Sequence, residues 1–469
     1  MSTQGNRDFR PAFHYTPPTG WINDPNGLLY ENGTWHLFAQ HNPAEPIWGP
    51  MHWRHAVSTD LLHWKDLGIA MAPDDLGMIF SGSAVIDHGN TSGLGKDGID
   101  PMILIYTSHG KTEQQSIAWS LDRVHFTPYE GNPVIPNTEK KNFRDPKVFR
   151  NEILNCWSMV LAAGDVNEFY ASDDLIHWRK TGEFGKKENT FGGVAECPDF
   201  FPLQAPDGST VWVLTSCLAK HPNFGSGRMV YYLGEFDGYT FRETMPRFRP
   251  RMLDYGYDNY AAVTFANTDR RLLVGWGQSP CYAAFEPTGE YCCNMTYVRE
   301  LSLVETDEGL ALAQKPITPS FALEKADFLP TPPPKPHMMF VLPTAEGALP
   351  GELFQIHVEA KEHFLLTLSN EDGETLRITL DSEQRLVLDR TDAGQKDFCP
   401  QFESGLMSVP SAQRKMIGPF SMDLYFDRMF AELFADKGTL ALTAAVFPKK
   451  PYTKATYNGD GALWIGKPV

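Results

Sequence analysis

Three short motifs each set an acid in a rigid, polar turn: Asp24 in WINDPNG, Asp145 in FRDPKV and Glu196 in AECPDFF. Asn23, Arg144 and Cys197 stand directly beside them. Two or three carboxylates, a guanidinium and nearby aromatics suit the cleavage of a glycosidic bond. The transition state of that reaction is oxocarbenium-like. One carboxylate must stabilise or attack the anomeric carbon, while a second carboxyl, kept protonated, donates to the departing oxygen. Asp24 and Glu196 are the candidates for this pair. Asp145, with Arg144 next to it, suits the gripping of adjacent sugar hydroxyls through charge-assisted hydrogen bonds. A single acid ahead of a strand is usually a turn residue; three in register across a chain repeat point to one shared site.

A repeat is what would gather them. Units starting at Asp24, Phe80, Asp145, Glu196 and Asp258 follow at intervals of 51 to 65 residues. Each unit reads as an apolar strand, a polar turn and an aromatic strand. Three of them close on a His-aromatic pair: His63-Trp64, His125-Phe126 and His177-Trp178. Five such units predict an all-β fold, a five-bladed β-propeller in which equivalent positions converge on the central axis. Asp24, Asp145, Glu196 and Asp258 would then ring one end of the channel.

The pattern breaks in LEKADFLPTPPPKPH, where Pro330, Pro332, Pro333, Pro334 and Pro336 deny the chain ladder hydrogen bonds. Past it, Leu376, Ile378 and Leu380 alternate with Arg377, Thr379 and Asp381, which predicts a C-terminal β-sandwich. The boundaries read as a propeller over 8–324, a linker over 325–336 and the sandwich over 337–469. No convergent acids or histidines mark the sandwich, so its expected role is structural support, with accessory sugar binding as the alternative.

A formal net charge of −17 argues against nucleic-acid and anionic-membrane partners, which want a basic footprint. A small-molecule carbohydrate is the expected partner. Nothing in the residues chooses between a monomer and a homodimer. The N-terminal residues contain no apolar run of a signal sequence, and no stretch approaches the roughly 18 residues of a membrane span. The expected location is cytoplasmic. Seven cysteines show no framework spacing, and the adjacent Cys292 and Cys293 do not read as a zinc-type pair. No metal or cofactor is expected.

WINDPNG, FSGS, FRDPKV and AECPDFF, in this order and spacing, resemble glycoside hydrolase family 32, the invertase, fructanase and sucrose-6-phosphate hydrolase group. The resemblance spans nearly the whole chain and implies the same propeller and sandwich. It also implies a retaining double displacement with Asp24 as nucleophile, Glu196 as acid/base and Asp145 as transition-state stabiliser. Trp21, Ile22 and Asn23 belong to the first motif, with Asn23 orienting the fructosyl ring or the nucleophile. Gln40 matches a substrate-contacting glutamine. Trp48, Phe80 and Ser81 would wall the pocket, Trp276 would face substrate from the fifth blade, and Asp258 with Tyr255 would form the rim there. Cys197 would tune the electrostatics around Glu196.

The implied activity is that of a β-fructofuranosidase on sucrose and short fructo-oligosaccharides. Sucrose-6-phosphate hydrolysis and fructosyl transfer are alternatives on the same scaffold; an inactive sugar-binding protein is the alternative from another class. Two departures from the family pattern stand out. Arg54 occupies a position expected to be small, where it reads as a phosphate ligand or as a solvated surface arginine, and YCCNMTYV replaces a small, apolar approach to RELSL.

Overall fold

The computed structural model describes residues 7–185, 193–218, 227–245, 251–329, 342–414 and 419–469. Five strands lie nearest the axis: β1 (Gly20–Glu31), β2 (Met78–Ile86), β3 (Phe143–Asn151), β4 (Ala195–Gln204) and β5 (Tyr260–Thr264). Each packs on the next, and β5 returns to β1, closing a ring. Each also pairs antiparallel with the next strand outward in a sheet of its own, which makes five blades. The next strand outward is buried almost throughout, as in Met102–His109 (MILIYTSH), because it is covered on both faces by neighbouring blades.

The His-aromatic pairs are turn devices. Asp60 accepts the backbone N–H groups of Leu62 and His63 through Oδ1 and takes His63 Nδ1 on Oδ2 at 2.7 Å. Asp122 with His125 and Asp174 with His177 repeat this. The residue after each Asp holds a left-handed φ, 67° at Leu61, 66° at Arg123 and 65° at Leu175. Local side-chain to backbone bonding offsets the strain of those non-glycine residues.

One irregularity recurs at the same end of all five inner strands. The ladder register slips across Asn23-Asp24, Phe80-Ser81, Asp145-Pro146, Cys197-Pro198 and Ala261-Ala262. The first bulged residue has φ of 64° at Asp145, 42° at Cys197 and 51° at Ala261. A bulge adds twist and re-aims a side chain, so the five bulges together turn side chains from five blades toward one end of the channel. Below them Lys147 closes the channel, its Nζ bonded to Thr264 O at 2.6 Å and 3.2 Å from Asp199 Oδ1.

The C-terminal unit is one sheet folded on itself. Its long strands β7 (Leu353–Ser369) and β8 (Lys454–Pro468) pair along their length except for an irregularity between Ala360 and Phe364. On one side of that break β7 pairs with Phe420–Asp427, on the other with Thr375–Leu380. The two halves enclose a single core that includes Phe354, Leu366, Ile378 and Leu433, a sandwich. Leu376, Ile378 and Leu380 are each 0% exposed, so the alternation seen in the sequence is the burial pattern. Strand β6 (Phe321–Lys325) pairs with β8; the division at 324 therefore falls within a strand of the sandwich. The linker prolines 330–336 lie outside the described residues.

The two units are joined by buried charge. Arg299, 0% exposed, donates to Glu432 Oε2 at 2.5 Å, to Asp254 Oδ2 at 2.9 Å and to Thr443 Oγ1 at 2.7 Å.

Candidate active site

The bulges deliver three carboxylates to one place. Asp24 Oδ1 accepts from Asn23 Nδ2 at 3.0 Å, and its Oδ2 accepts from Ser81 Oγ at 2.6 Å. Ser81 is itself oriented by Gln40, whose Nε2 donates to Ser81 Oγ at 2.7 Å. Asp145 Oδ2 accepts the Cys197 N–H at 2.9 Å. The Cys197 Sγ lies 3.5 Å from Asp24 Oδ2 and 3.5 Å from Asp145 Oδ2, so one thiol bridges both acids. Glu196 is anchored at each oxygen, by Arg144 Nη2 at 2.5 Å and by the Tyr260 hydroxyl at 2.5 Å. Arg144 is in turn fixed by Glu113 Oε1 at 3.0 Å and Asn142 Oδ1 at 3.0 Å, and its Nε is 3.8 Å from Asp145 Oδ2.

Burial and mutual charge set the protonation of the group. Burial pushes Asp145 up to about 7; Arg144 opposes this, while Asp24 and Glu196 add to it. Asp24 is also raised by burial, against the hydrogen bonds of Ser81 and Asn23, and the Glu196 charge raises it further. For Arg144 burial works against the charge, but Asp145, Glu196 and Glu113 outweigh it and hold the guanidinium as a fixed cation. The Cys197 thiol is pushed well above its usual range by the Cys217 side chain and by burial, so it is a neutral donor rather than a nucleophile. Like charges held this close do not all ionise together, the condition under which one carboxyl serves as acid beside another acting as carboxylate.

Residues 14–316 match the Glycosyl hydrolases family 32 N-terminal domain, and residues 345–463 match the family's C-terminal domain. The chain belongs to glycoside hydrolase family 32. It is 36% identical to a levanase of Bacillus subtilis over 96% of this chain and 68% of that protein. It is 34% identical to an extracellular exo-inulinase of Aspergillus ficuum over 97% of this chain and 93% of that protein. The crystal structure of an exo-inulinase from Aspergillus awamori superposes with a TM-score of 0.88 at 30% identity, covering 99% of each chain. A β-fructofuranosidase from Schwanniomyces occidentalis complexed with fructosyl-erythritol gives 0.86 at 28% identity, over 97% of each chain.

These relatives correct the expected cytoplasmic location. The exo-inulinases that match 97% of this chain are extracellular proteins, and the want of an apolar run among the first residues carries no information on compartment. Among the described residues no helix is long and apolar enough to cross a membrane.

Several family 32 positions fall around the acids. Asn23, Gln40, Ser81, Arg144 and Cys197 touch them directly or through one residue. Phe80 stacks on His109 at 4.0 Å, and Trp48, 50% exposed, stands edge-on to Phe80 at 6.2 Å, a rim with an open indole face. Trp21 and Trp276 are packed edge to face at 5.7 Å behind this layer, with Trp21 Nε1 holding Asn23 Oδ1 at 2.8 Å.

Other expected contacts lie elsewhere. Ile22 is 0% exposed and sits in the blade core, because strand alternation turns it away from its neighbours' face. Asp258 is 0% exposed and lies at the joint between the two units, bound to Arg390 Nη1 at 2.7 Å, Ala445 N at 2.8 Å and the Tyr282 hydroxyl. Tyr255 faces the sandwich too, its hydroxyl 3.2 Å from Gln413 Oε1. Arg54 is held by both oxygens of Asp66, at 2.6 and 2.5 Å, which leaves the phosphate reading without support.

Tyr260 is the residue the sequence reading missed. In register it stands just before the Ala261-Ala262 bulge, as Glu196 stands just before Cys197-Pro198. Aligning the bulges rather than the nearest acids would have found it. Glu113, which clamps Arg144, comes from the blade of β2 and carries no motif of its own.

Proposed function

We propose that this family 32 protein is a retaining, exo-acting β-fructofuranosidase, releasing terminal non-reducing β-D-fructofuranosyl residues from sucrose, short fructo-oligosaccharides and fructan ends. The observation that carries the reading is the convergence of Asp24, Asp145 and Glu196, with Cys197 linking the first two and Arg144 linking the last two. In this reading Asp24 attacks the anomeric carbon while Glu196 gives its proton to the leaving glycosidic oxygen. Water, deprotonated by Glu196, then cleaves the fructosyl-enzyme. Asp145 grips the ring hydroxyls, and its bonds strengthen as the ring distorts. Exo action is included because relatives of this chain are exo-inulinases. Fructan ends are included because the levanase and the exo-inulinases are among the relatives.

The test measures glucose, glucose 6-phosphate and fructose released from sucrose, kestose, inulin, levan and sucrose 6-phosphate, beside an Asp24→Asn control. Nuclear magnetic resonance follows the first-formed anomer. Fructose released as the β-anomer from unphosphorylated substrates, with the control at least about 10⁴-fold slower, supports the reading. An inverted anomer, or an active Asp24→Asn protein, overturns the mechanism. Strong preference for the phosphate ester overturns the substrate assignment.

A further inference from the structure

Behind the Trp276 wall lies a cluster that the proposed reaction does not use. Among the described residues, one group of metal-ligating side chains has its ligand atoms together: Glu286, Cys292 and Cys293, all within 4.8 Å of one another. The two Sγ atoms are 3.3 Å apart, and Cys292 and Cys293 are 3% and 0% exposed. Consecutive residues of a regular strand point to opposite faces. Cys293 departs from this with a φ of 76°, a left-handed conformation that brings its thiol to its neighbour's. Across from them both carboxylate oxygens of Glu286 are buried and without a hydrogen-bond partner. A buried carboxyl group left unpaired is costly, and in native proteins such groups are paired or bind an ion. The indole N–H of Trp276 also lacks a regular acceptor, and it interacts with the Cys293 sulfur.

The geometry points to a structural site for a thiophilic divalent cation, zinc by chemical class, held by the Glu286 carboxylate and the thiolates of Cys292 and Cys293. Two sulfurs and an oxygen are a donor set zinc accepts, and binding releases the thiol protons to solvent. Zinc–sulfur bonds of about 2.3 Å in a tetrahedron separate the sulfurs by about 3.7 Å, so the pair opens by a few tenths of an ångström. The fourth position falls to water or to the Ala283 carbonyl, which already accepts from Cys292 Sγ at 3.0 Å. Trp276 would donate to the Cys293 thiolate from outside, orienting it as hydrogen-bond donors around metal ligands do.

The site has a mechanical consequence. Tyr291–Cys292 pairs in parallel with Gly20–Trp21 at the start of the strand that carries Asp24. The cation would fasten the short turn Ala283–Phe285, with Glu286 at its end, to that strand and to the back of Trp276. The adjacent cysteines lack zinc-finger spacing, and the third ligand comes from a turn upstream, so the sequence alone read no metal pair.

The test titrates the reduced, metal-freed full chain with zinc and records X-ray absorption of the loaded protein; neither readout depends on activity. One equivalent of zinc with two sulfur neighbours at about 2.3 Å is the expected result. Cys293→Ser removes one of those sulfurs and weakens binding at least about tenfold, Glu286→Gln weakens it comparably, and Cys281→Ser, at the exposed neighbouring thiol, leaves it unchanged. Absence of stoichiometric zinc, a shell of nitrogen and oxygen only, or undiminished affinity in Cys293→Ser overturns the proposal. Where a variant does not fold, the absorption spectrum of the wild-type protein decides alone.

Discussion

The Tyr260 hydroxyl donates to Glu196 Oε2 at 2.5 Å, while Arg144 holds the other oxygen of the same carboxylate. Tyr260 is itself buried, and burial first, then the Glu196 charge, raises its own pKa well above the usual tyrosine range, so it is a neutral donor at any working pH. In the proposed mechanism its role is to fix where the Glu196 carboxyl points.

Tyr260→Phe removes that bond and leaves the ring in place. General acid–base catalysis contributes about 10²–10⁴-fold and depends on placement, so loss of one anchor lowers kcat by about 10–100-fold with KM changed little. Steady-state kinetics on sucrose and kestose check this. A purely structural tyrosine would lower melting temperature and leave kcat per folded molecule intact.

Asp258 gives the opposite signature. Its carboxylate is paired with Arg390, which is 2% exposed and whose guanidinium lies 3.8 Å over the Phe402 ring. Removing one partner of a buried ion pair strands the other, at a cost of about 3–5 kcal/mol. Asp258→Asn therefore lowers unfolding stability by that order, with kcat and KM of the folded fraction nearly unchanged. Denaturant unfolding and kinetics on one preparation separate the effects; a raised KM at undiminished stability would return Asp258 to the pocket rim.

What was legible in the residues, and what was not, follows from register. The blade interval, the Asp-His turns and the Leu376–Leu380 alternation are local patterns, and the propeller and sandwich follow from them. The fifth blade has no acid at its bulge. Anchoring that unit on the nearest acid put its origin at Asp258, two residues ahead of Tyr260. That anchor passed over Tyr260 and drew in Asp258, while Ile22 entered with the WINDPNG motif although strand alternation turns it into the core. Contacts from a different strand or a different unit, such as Glu113 on Arg144 and Arg390 on Asp258, leave no trace in local pattern at all.

His14 makes stability sensitive to alkaline pH. The ring is buried between the strand ends of the sandwich, with Nδ1 2.8 Å from Asp427 Oδ2 and Nε2 3.0 Å from Glu432 Oε1, and the Tyr297 and Phe430 rings at 4.0 and 5.1 Å cover it. Burial would lower its pKa, but the hydrogen bonds and charges of Asp427 and Glu432 prevail and raise it to about 9. Arg299 also faces Glu432, so the cluster holds two cations against its carboxylates. The folded pKa lies above the unfolded value of about 6.5, so the folded state binds the extra proton. The stabilisation is complete below about pH 6.5 and is lost as pH rises toward 9. For a shift of this size the loss is on the order of 3 kcal/mol. Urea unfolding at pH 6.5 and pH 9.5 reads it directly. The wild-type protein loses stability between the two, and His14→Gln, less stable at pH 6.5, shows a smaller drop. An equal drop in both would assign the alkaline sensitivity to other groups and leave the His14 ring neutral in the fold.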